Sequence, residues 1–351
     1  MNYDIIIVGA GIAGISAAIH AKKSDKNIKI LVIDKCKFPR NKLCAGYLTQ
    51  KSVDLLEELD IDINKIDYNL VKGISIIYKD KVRVHANNHG LYCQKLVDRT
   101  VLDYELFQKL KQNDIEVKEN AKVDDLNEEE SIITINGIKY SFKYLIFSDG
   151  ELGYSSKYNN SKKRYIAMQM NFKCELKPKI DMFFGITKKG YSWSASSGNY
   201  VNIGFCDIYN QKNNYQLLFK DFVKSLGYEQ ELEHGKIKGF FVPYGLKKNT
   251  MISNNIFLTG DAAGAVDPLT LAGISYAILS GKYVAKSIVN NDNTIYLKYL
   301  KKIQFKFKVL KMMSVVLYTP FTMFFGLRVG GHFFGNMFSY ILDKFILSKK
   351  R

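Results

Sequence analysis

The sequence predicts a mixed α/β (α+β) fold. A parallel-sheet lobe is interleaved with an antiparallel β-sheet lobe and followed by a helical C-terminal segment. Three observations predict it. "VGAGIAGISAA" (8–18) joins a short apolar strand to a small-residue helix. "GDAAGAVDPLTLAGISYAI" (260–278) repeats that pattern late in the chain. Between them, 69–92 and 163–245 are rich in aromatic and β-branched runs of strand character.

"DIIIV" (4–8) is a continuous β-branched run, as in a buried parallel strand. Gly9, Gly11 and Gly14 follow in G-x-G-x-x-G order, with Ala10, Ile12 and Ala13 between them. Gly9 suits a tight turn and Gly11 lets backbone reach a pyrophosphate. Gly14 opens a helix that packs closely on the strand, its N-terminus facing phosphate charge. The next strand, "IKILVID", ends in Asp34, followed by Lys35; Asp34 lies twenty residues after Gly14. An acid there can accept hydrogen bonds from both ribose hydroxyls of an adenosine. Strand, turn, helix, strand and acid in this order predict a Rossmann-like dinucleotide site.

Near residue 145 another apolar strand enters "SDGELGYSS", with Asp149 and Gly150 in the turn. "NIFLTGDAAGAVDP" then gives strand, Gly260, Asp261 and three small residues that leave room for close backbone contact. "LAGISYAILSGKYVAKSI" has helical apolar spacing, with Gly273 and Ile274 at its start.

Composition bounds the rest. A 351-residue chain that is 47% hydrophobic and 24% charged is globular and long enough for more than one lobe. Its net charge of +17 fits an anionic partner, but abundant Lys, Asn and Ile together are also what AT-rich coding produces. No nucleic-acid recognition motif accompanies the charge. Five cysteines without a C-x-x-C pair, and histidines without H-E-x-x-H spacing, argue for a reducing compartment and against a metal site. The N-terminus enters a strand by residue 4, so a signal peptide or anchor is not expected there and a cytoplasmic location is.

These residues resemble the flavoprotein group of p-hydroxybenzoate hydroxylase, the flavin-dependent halogenases and the geranylgeranyl reductases. The likeness lies in the N-terminal G-x-G-x-x-G, the central Asp149–Gly150 pair and the late Gly260–Asp261 motif with Pro268. It implies a single FAD held at both ends. Asp261 would meet ribityl or ribose hydroxyls, the following helix start would face the flavin ring, and Asp149 and Gly150 would lie near the adenylate and pyrophosphate. The chain departs from the group where a Ser and an Arg usually follow the Asp-Gly pair, and in reading Leu271-Ala272-Gly273 in place of a Gly-Glu-Gly type turn.

Two stretches resemble the geranylgeranyl reductase family in particular. "FPRNKLCAGYLTQKSVDLLEEL" carries Lys42, Cys44, Ala45 and Gly46 at a Cys-Gly-Gly-like turn. "GYSWSASSGNYVNIGF" places Tyr191 and the lone tryptophan, Trp193, on alternate residues, so both rings can wall one cavity. "RTVLDYELFQKL" fits the group's R-x-x-L-D pattern, which would set Arg99 near the flavin or pyrophosphate. The resemblance implies reduction of isoprenoid or other lipid C=C bonds by hydride transfer from reduced flavin, with Cys44 shaping the site or relaying the proton. A monooxygenase of the aromatic-hydroxylase type, and a non-catalytic flavin-binding or membrane-associated protein, remain alternatives. Electrons would come from NAD(P)H or a ferredoxin-like carrier, since no second dinucleotide fingerprint is present.

The expected division is 1–68, 93–162 and 246–293 for the FAD-binding domain, 69–92 and 163–245 for the substrate sheet, and 294–351 for the C-terminal helical segment. In that segment Ile295, Tyr299, Ile303, Phe307 and Leu310 share a helical face, with lysines at 298, 301, 302, 306, 308 and 311. The sixteen uncharged residues that follow are interrupted by Pro320, too short and broken for a membrane span. The segment would cap the substrate cavity or lie peripherally on an anionic membrane face.

Overall fold

The computed structural model describes residues 2–71, 73–78, 82–87, 94–159 and 163–319. Expectations for Cys93, for Pro320 and for the rest of 320–351 lie outside them.

Asn2–Val8 is the buried strand the β-branched run requires, and it pairs in parallel with Ile30–Ile33 on one side and Ile138–Phe147 on the other. Glu116–Lys118 and Ile256–Leu258 extend the parallel array outward. Met251–Ser253 and the antiparallel strands Val123–Asn127 and Ile132–Ile135 complete an eight-stranded sheet. A second, five-stranded sheet is organised around the 21-residue strand Arg164–Phe184. That strand pairs along its length with Ser192–Ile208; its first half also pairs with Lys238–Pro243 and its second half with Gly73–Tyr78. Tyr47–Leu48, Tyr68–Val71 and Gln94–Val97 form a small third sheet where the chain passes between the two.

All strands of the large sheet fall within 1–68, 93–162 and 246–293, and all of the five-stranded sheet within 69–92 and 163–245. On that distribution we propose the two interleaved domains expected above. The run 163–245 is not strand throughout: Tyr215–Ser225 is a helix, capped by the Asn214 side chain and buried through Tyr215, Phe219, Phe222 and Val223. Those positions repeat at helical spacing and cover the back of the five-stranded sheet.

Helix Ile12–Ser24 begins two residues before Gly14, because the chain already turns helical after Gly11 rather than at the third glycine. It packs against helix Ile274–Val289 with almost no space between the backbones. A Cβ on Gly281 would stand 2.3 Å from the Ala13 carbonyl oxygen, and one on Gly14 would stand 2.1 Å from that of Gly9. Ser16 Oγ donates to the Ile278 carbonyl across the contact at 2.7 Å. Gly281→Ala is therefore expected to destabilise the protein by about 1–3 kcal/mol, since backbone and not a flexible side chain must move; denaturant unfolding measures it, and an unchanged midpoint would contradict the packing.

Candidate active site

A cavity of about 850 Å³ runs from the first glycine loop, past Asp34 and the 40–45 loop, to Gly260, Asp261 and the start of Ile274–Val289. It continues against the five-stranded sheet, where Ile180, Met182, Trp193, Ala195 and Val242 line it. The two glycine clusters thus face one continuous space.

At one end, Gly9 holds φ +103°, and a Cβ there would strike the Ser148 carbonyl oxygen at 2.4 Å. Gly11 N-caps its helix with no side-chain cap, and the space over it is open to 3.8 Å. The first amides of Ile12–Ser24 therefore face the cavity uncapped, a seat for phosphate oxygens. Asp34 is buried at the strand end; its Oδ2 accepts from the Ala10 amide and its Oδ1 from the Cys36 amide, both at 2.9 Å. The carboxylate is thus locked in place with lone pairs left over for hydroxyl donors.

Arg40, which sequence reasoning passed over, reaches between two acids. Its Nη2 lies 3.7 Å from Asp34 and its Nη1 3.8 Å from Asp103, while the ring of Phe38 lies 4.7 Å beneath it. Arg40 Nε is buried in the cavity wall with no partner among the described residues. A buried orphan donor beside an uncapped helix start fits a phosphate or ribose oxygen of a bound dinucleotide.

Arg99 pairs bidentately with Asp103 one helical turn on, at 2.8 and 3.1 Å. Burial opposes its charge, but Asp103 outweighs burial and, together with a hydrogen bond to the Cys44 side chain, raises its pKa. Cys44 Sγ also accepts from the Gly46 amide at 3.4 Å. The thiol thus sits in the cavity wall against a fixed cation.

At the other end Gly260 has φ +57° and its amide donates to Ser280 Oγ at 2.9 Å. Lys42 Nζ lies 4.0 Å from Asp261 Oδ2, joining the 40–45 loop to the late motif. Gly273 starts its helix without a side-chain cap, so a second bare N-terminus faces the cavity. The preceding loop is held by three tyrosines on consecutive carbonyls. Tyr165 donates to Pro268 at 2.9 Å, Tyr318 to Leu269, and Tyr191 to Thr270 at 2.6 Å. Asp267 Oδ1 accepts from the amides of Leu269 and Thr270 at 2.7 and 3.2 Å. So constrained, Leu271 adopts φ +56°, a conformation costly for a residue with a side chain.

Of the residues singled out from sequence, Gly9, Gly11, Ile12, Ala13, Asp34, Lys35, Lys42, Cys44, Ala45, Arg99, Asp149, Gly150, Gly260, Asp261, Gly273, Ile274, Tyr191 and Trp193 line the cavity. Ala10, Gly14 and Pro268 do not. The Ala10 amide is occupied by Asp34, Gly14 is pressed on Gly9, and the Pro268 carbonyl is taken by Tyr165. Asp149 turns both carboxylate oxygens onto Ser155, at 2.9 and 2.6 Å, and burial pushes its pKa up against those bonds. The displaced serine of "ELGYSS" therefore caps Asp149. The rings of Tyr191 and Trp193 lie 5.9 Å apart in the same wall. No residue of helix Thr294–Leu317 lines the cavity, so the expected cap is not formed by this helix. Asp103 stood within the quoted R-x-x-L-D pattern, and its spacing of four from Arg99 was the available signal.

A family model described as pyridine nucleotide-disulphide oxidoreductase matches residues 3–150. The Thermoplasma acidophilum geranylgeranyl bacteriochlorophyll reductase-like structure superposes with a TM-score of 0.75 at 21% identity, covering 90% of this chain and 87% of that one. The chain is an FAD-dependent oxidoreductase with the geranylgeranyl reductase-like fold. Among sequence relatives of the flavoprotein, an uncharacterized protein of Methanosarcina barkeri is 28% identical over 96% of this chain and 85% of its own. The digeranylgeranylglycerophospholipid reductase of Methanococcus vannielii is 27% identical over 83% and 79%. No described helix of the flavoprotein is long and apolar enough to cross a membrane.

Asp267 behind the tyrosine-held loop is fully buried, and burial pushes its carboxyl up to about 6, against the pull of the Leu269 and Thr270 amides and of Lys306. Because the folded value is raised, its contribution to stability is full below the ordinary carboxylate range and is lost as pH rises through about 6. Asp267→Asn, which keeps an oxygen for the two amides, is expected to flatten that part of the stability–pH curve in denaturant titrations. A curve of unchanged slope would contradict the assignment.

Proposed function

We propose that the flavoprotein reduces carbon–carbon double bonds of an isoprenoid or related lipid, with NAD(P)H or a small ferredoxin-like carrier as electron source. The observation that carries this reading is the apolar end of the cavity, where Ile74, Leu96, Ile180, Met182, Trp193 and Val242 face the glycine-bearing loops. An aliphatic chain gains about 25 cal/mol for each Å² of surface it hides there. An isolated alkene offers no carbonyl to polarise, so placing it in a dry slot must supply much of the rate.

The uncapped start of Ile12–Ser24, with Gly9, Gly11, Ile12 and Ala13, would hold the pyrophosphate of FAD. Asp34 with Lys35 and Arg40 would take the adenosine ribose side, and Gly150 the stretch beyond it. Lys42, Ala45, Gly260, Asp261, Gly273 and Ile274 would surround the flavin end. Reduced FAD, when bound, supplies a hydride to one alkene carbon.

The chain supplies the rest. Tyr191 and Trp193 wall the slot, and Gln169, buried in the same wall, is its polar exception. The Cys44 thiol gives a proton to the second alkene carbon. The thiolate left behind is offset by Arg99, whose own charge is secured by Asp103, and it regains a proton from solvent. Peripheral placement on a membrane would bring such a lipid to the cavity.

Anaerobic incubation of the reduced protein with an isoprenoid lipid, read by mass spectrometry, tests the reading. A gain of one hydrogen pair per reduced bond supports it; a product appearing only in air and carrying oxygen favours the monooxygenase alternative. Cys44→Ala is expected to slow single-turnover reduction by about a hundredfold while FAD content stays the same. Unchanged rates in Cys44→Ala and Cys44→Ser would leave the thiol a packing group.

A further inference from the structure

The 24-residue helix Thr294–Leu317 contains six lysines and no acidic residue. One face is spent on the protein: Tyr296, Tyr299, Leu300, Ile303, Phe307 and Leu310 are buried. Tyr299 stacks on Tyr283 at 4.5 Å between ring centroids, and Phe307 meets the edge of Tyr276 at 5.0 Å. The other face is not polar, as the outer face of a surface helix should be. Phe305, Met312, Val315 and Val316 are 73%, 72%, 66% and 58% exposed. Spacings of seven and eleven put Phe305, Met312 and Val316 on one line along the helix. Lys298, Lys301, Lys302 and Lys308 are exposed beside them.

A second observation comes from the neighbouring helix Gln50–Glu57. Lys51 Nζ and Lys306 Nζ lie 5.8 and 5.5 Å from the ring centre of Tyr276. Neither makes an ion pair with a carboxylate among the described residues. Burial lowers both ammonium pKa values; Lys302 adds repulsion at Lys51, and at Lys306 repulsion from Lys51 and Lys302, opposed by Asp267, leaves the value at about 8. Asp267 offsets Lys306 only in part, and half-buried cations short of counter-charge mark a surface that gains from an external anion.

We propose that this face of Thr294–Leu317, with Lys51 at its flank, is an in-plane docking surface for an anionic phospholipid bilayer. The lysines meet lipid phosphates, and Phe305, Met312, Val315 and Val316 enter the headgroup–acyl boundary. The lysines alone would suit any polyanion. The four exposed apolar side chains decide for a membrane, because a nucleic acid or an acidic protein surface offers them no such boundary. The inference deepens the lipid-reductase reading by naming where a lipid would be delivered, but it stands on this helix and not on the cavity.

The test is co-sedimentation of the full FAD-loaded protein with phosphatidylglycerol-containing vesicles and with phosphatidylcholine alone. Binding is expected on the anionic vesicles and not on the neutral ones. Phe305→Ser with Met312→Ser, which leaves charge untouched, should weaken it by about tenfold or more. Lys301→Glu with Lys308→Glu should weaken it by a similar factor. These positions face solvent, so flavin absorbance and thermal midpoint are expected to stay at wild-type values. Absence of binding to anionic vesicles at low salt overturns the proposal. So does equal binding by the serine variant, which would reduce the contact to charge alone. Turnover of a detergent-dispersed isoprenoid reports separately on the reductase reading: turnover without vesicle binding overturns only the docking surface, and vesicle binding without turnover overturns only the reductase.

Discussion

The site depends on how closely helix Ile12–Ser24 can approach helix Ile274–Val289. Gly281 lies against the Ala13 carbonyl and the Ala17 amide, where no side chain can be accommodated. That contact sets two uncapped helix starts on one cavity although they are separated by more than two hundred residues of sequence. Ser148 and Thr259, whose hydroxyls lie 2.6 Å apart, tie the neighbouring strand ends together. A ligand with phosphates near one end and a polar ring at the other can then use both positive ends of helix dipole without any added cation.

Charge around this frame is arranged in short, buried contacts. Asp34 and Asp103 flank Arg40, and Asp103 also fixes Arg99, which in turn touches Cys44. Removing one member would leave the others buried and unpaired, which costs more than any single bond contributes. On the far side the loop 267–271 is immobilised by three tyrosines from the five-stranded sheet and the C-terminal helix end. Tyr191 therefore has two duties: its ring walls the apolar chamber while its hydroxyl fixes the loop facing the flavin end.

Much of this was legible in the linear order of residues. "DIIIV" followed by Gly9, Gly11 and Gly14 determines a strand–turn–helix by local sterics, and Asp34 at the next strand end completes the nucleotide signature. Tyr191 and Trp193 could be paired because strand alternation has a fixed period. The helix Tyr215–Ser225 was hidden because its short apolar pattern lies among strong strand formers. Arg40 was hidden because a lone basic residue in a loop carries no periodicity. Asp149 could not be assigned to Ser155, since the turn that brings them together depends on Gly150 and Gly153 and on burial under the sheet.

Motif order by itself determined an α/β chain with a dinucleotide-binding strand–turn–helix, because glycine conformations and strand periods are local properties; FAD in particular came from the resemblance those motifs carry. Only the tertiary structure decided that both glycine clusters open on one cavity. It also decided that helix Thr294–Leu317 turns its tyrosines inward and leaves Phe305, Met312, Lys298, Lys301, Lys302 and Lys308 outside. Those outcomes rest on contacts between residues far apart in sequence, and no local preference encodes which face of an equally apolar helix the core will take.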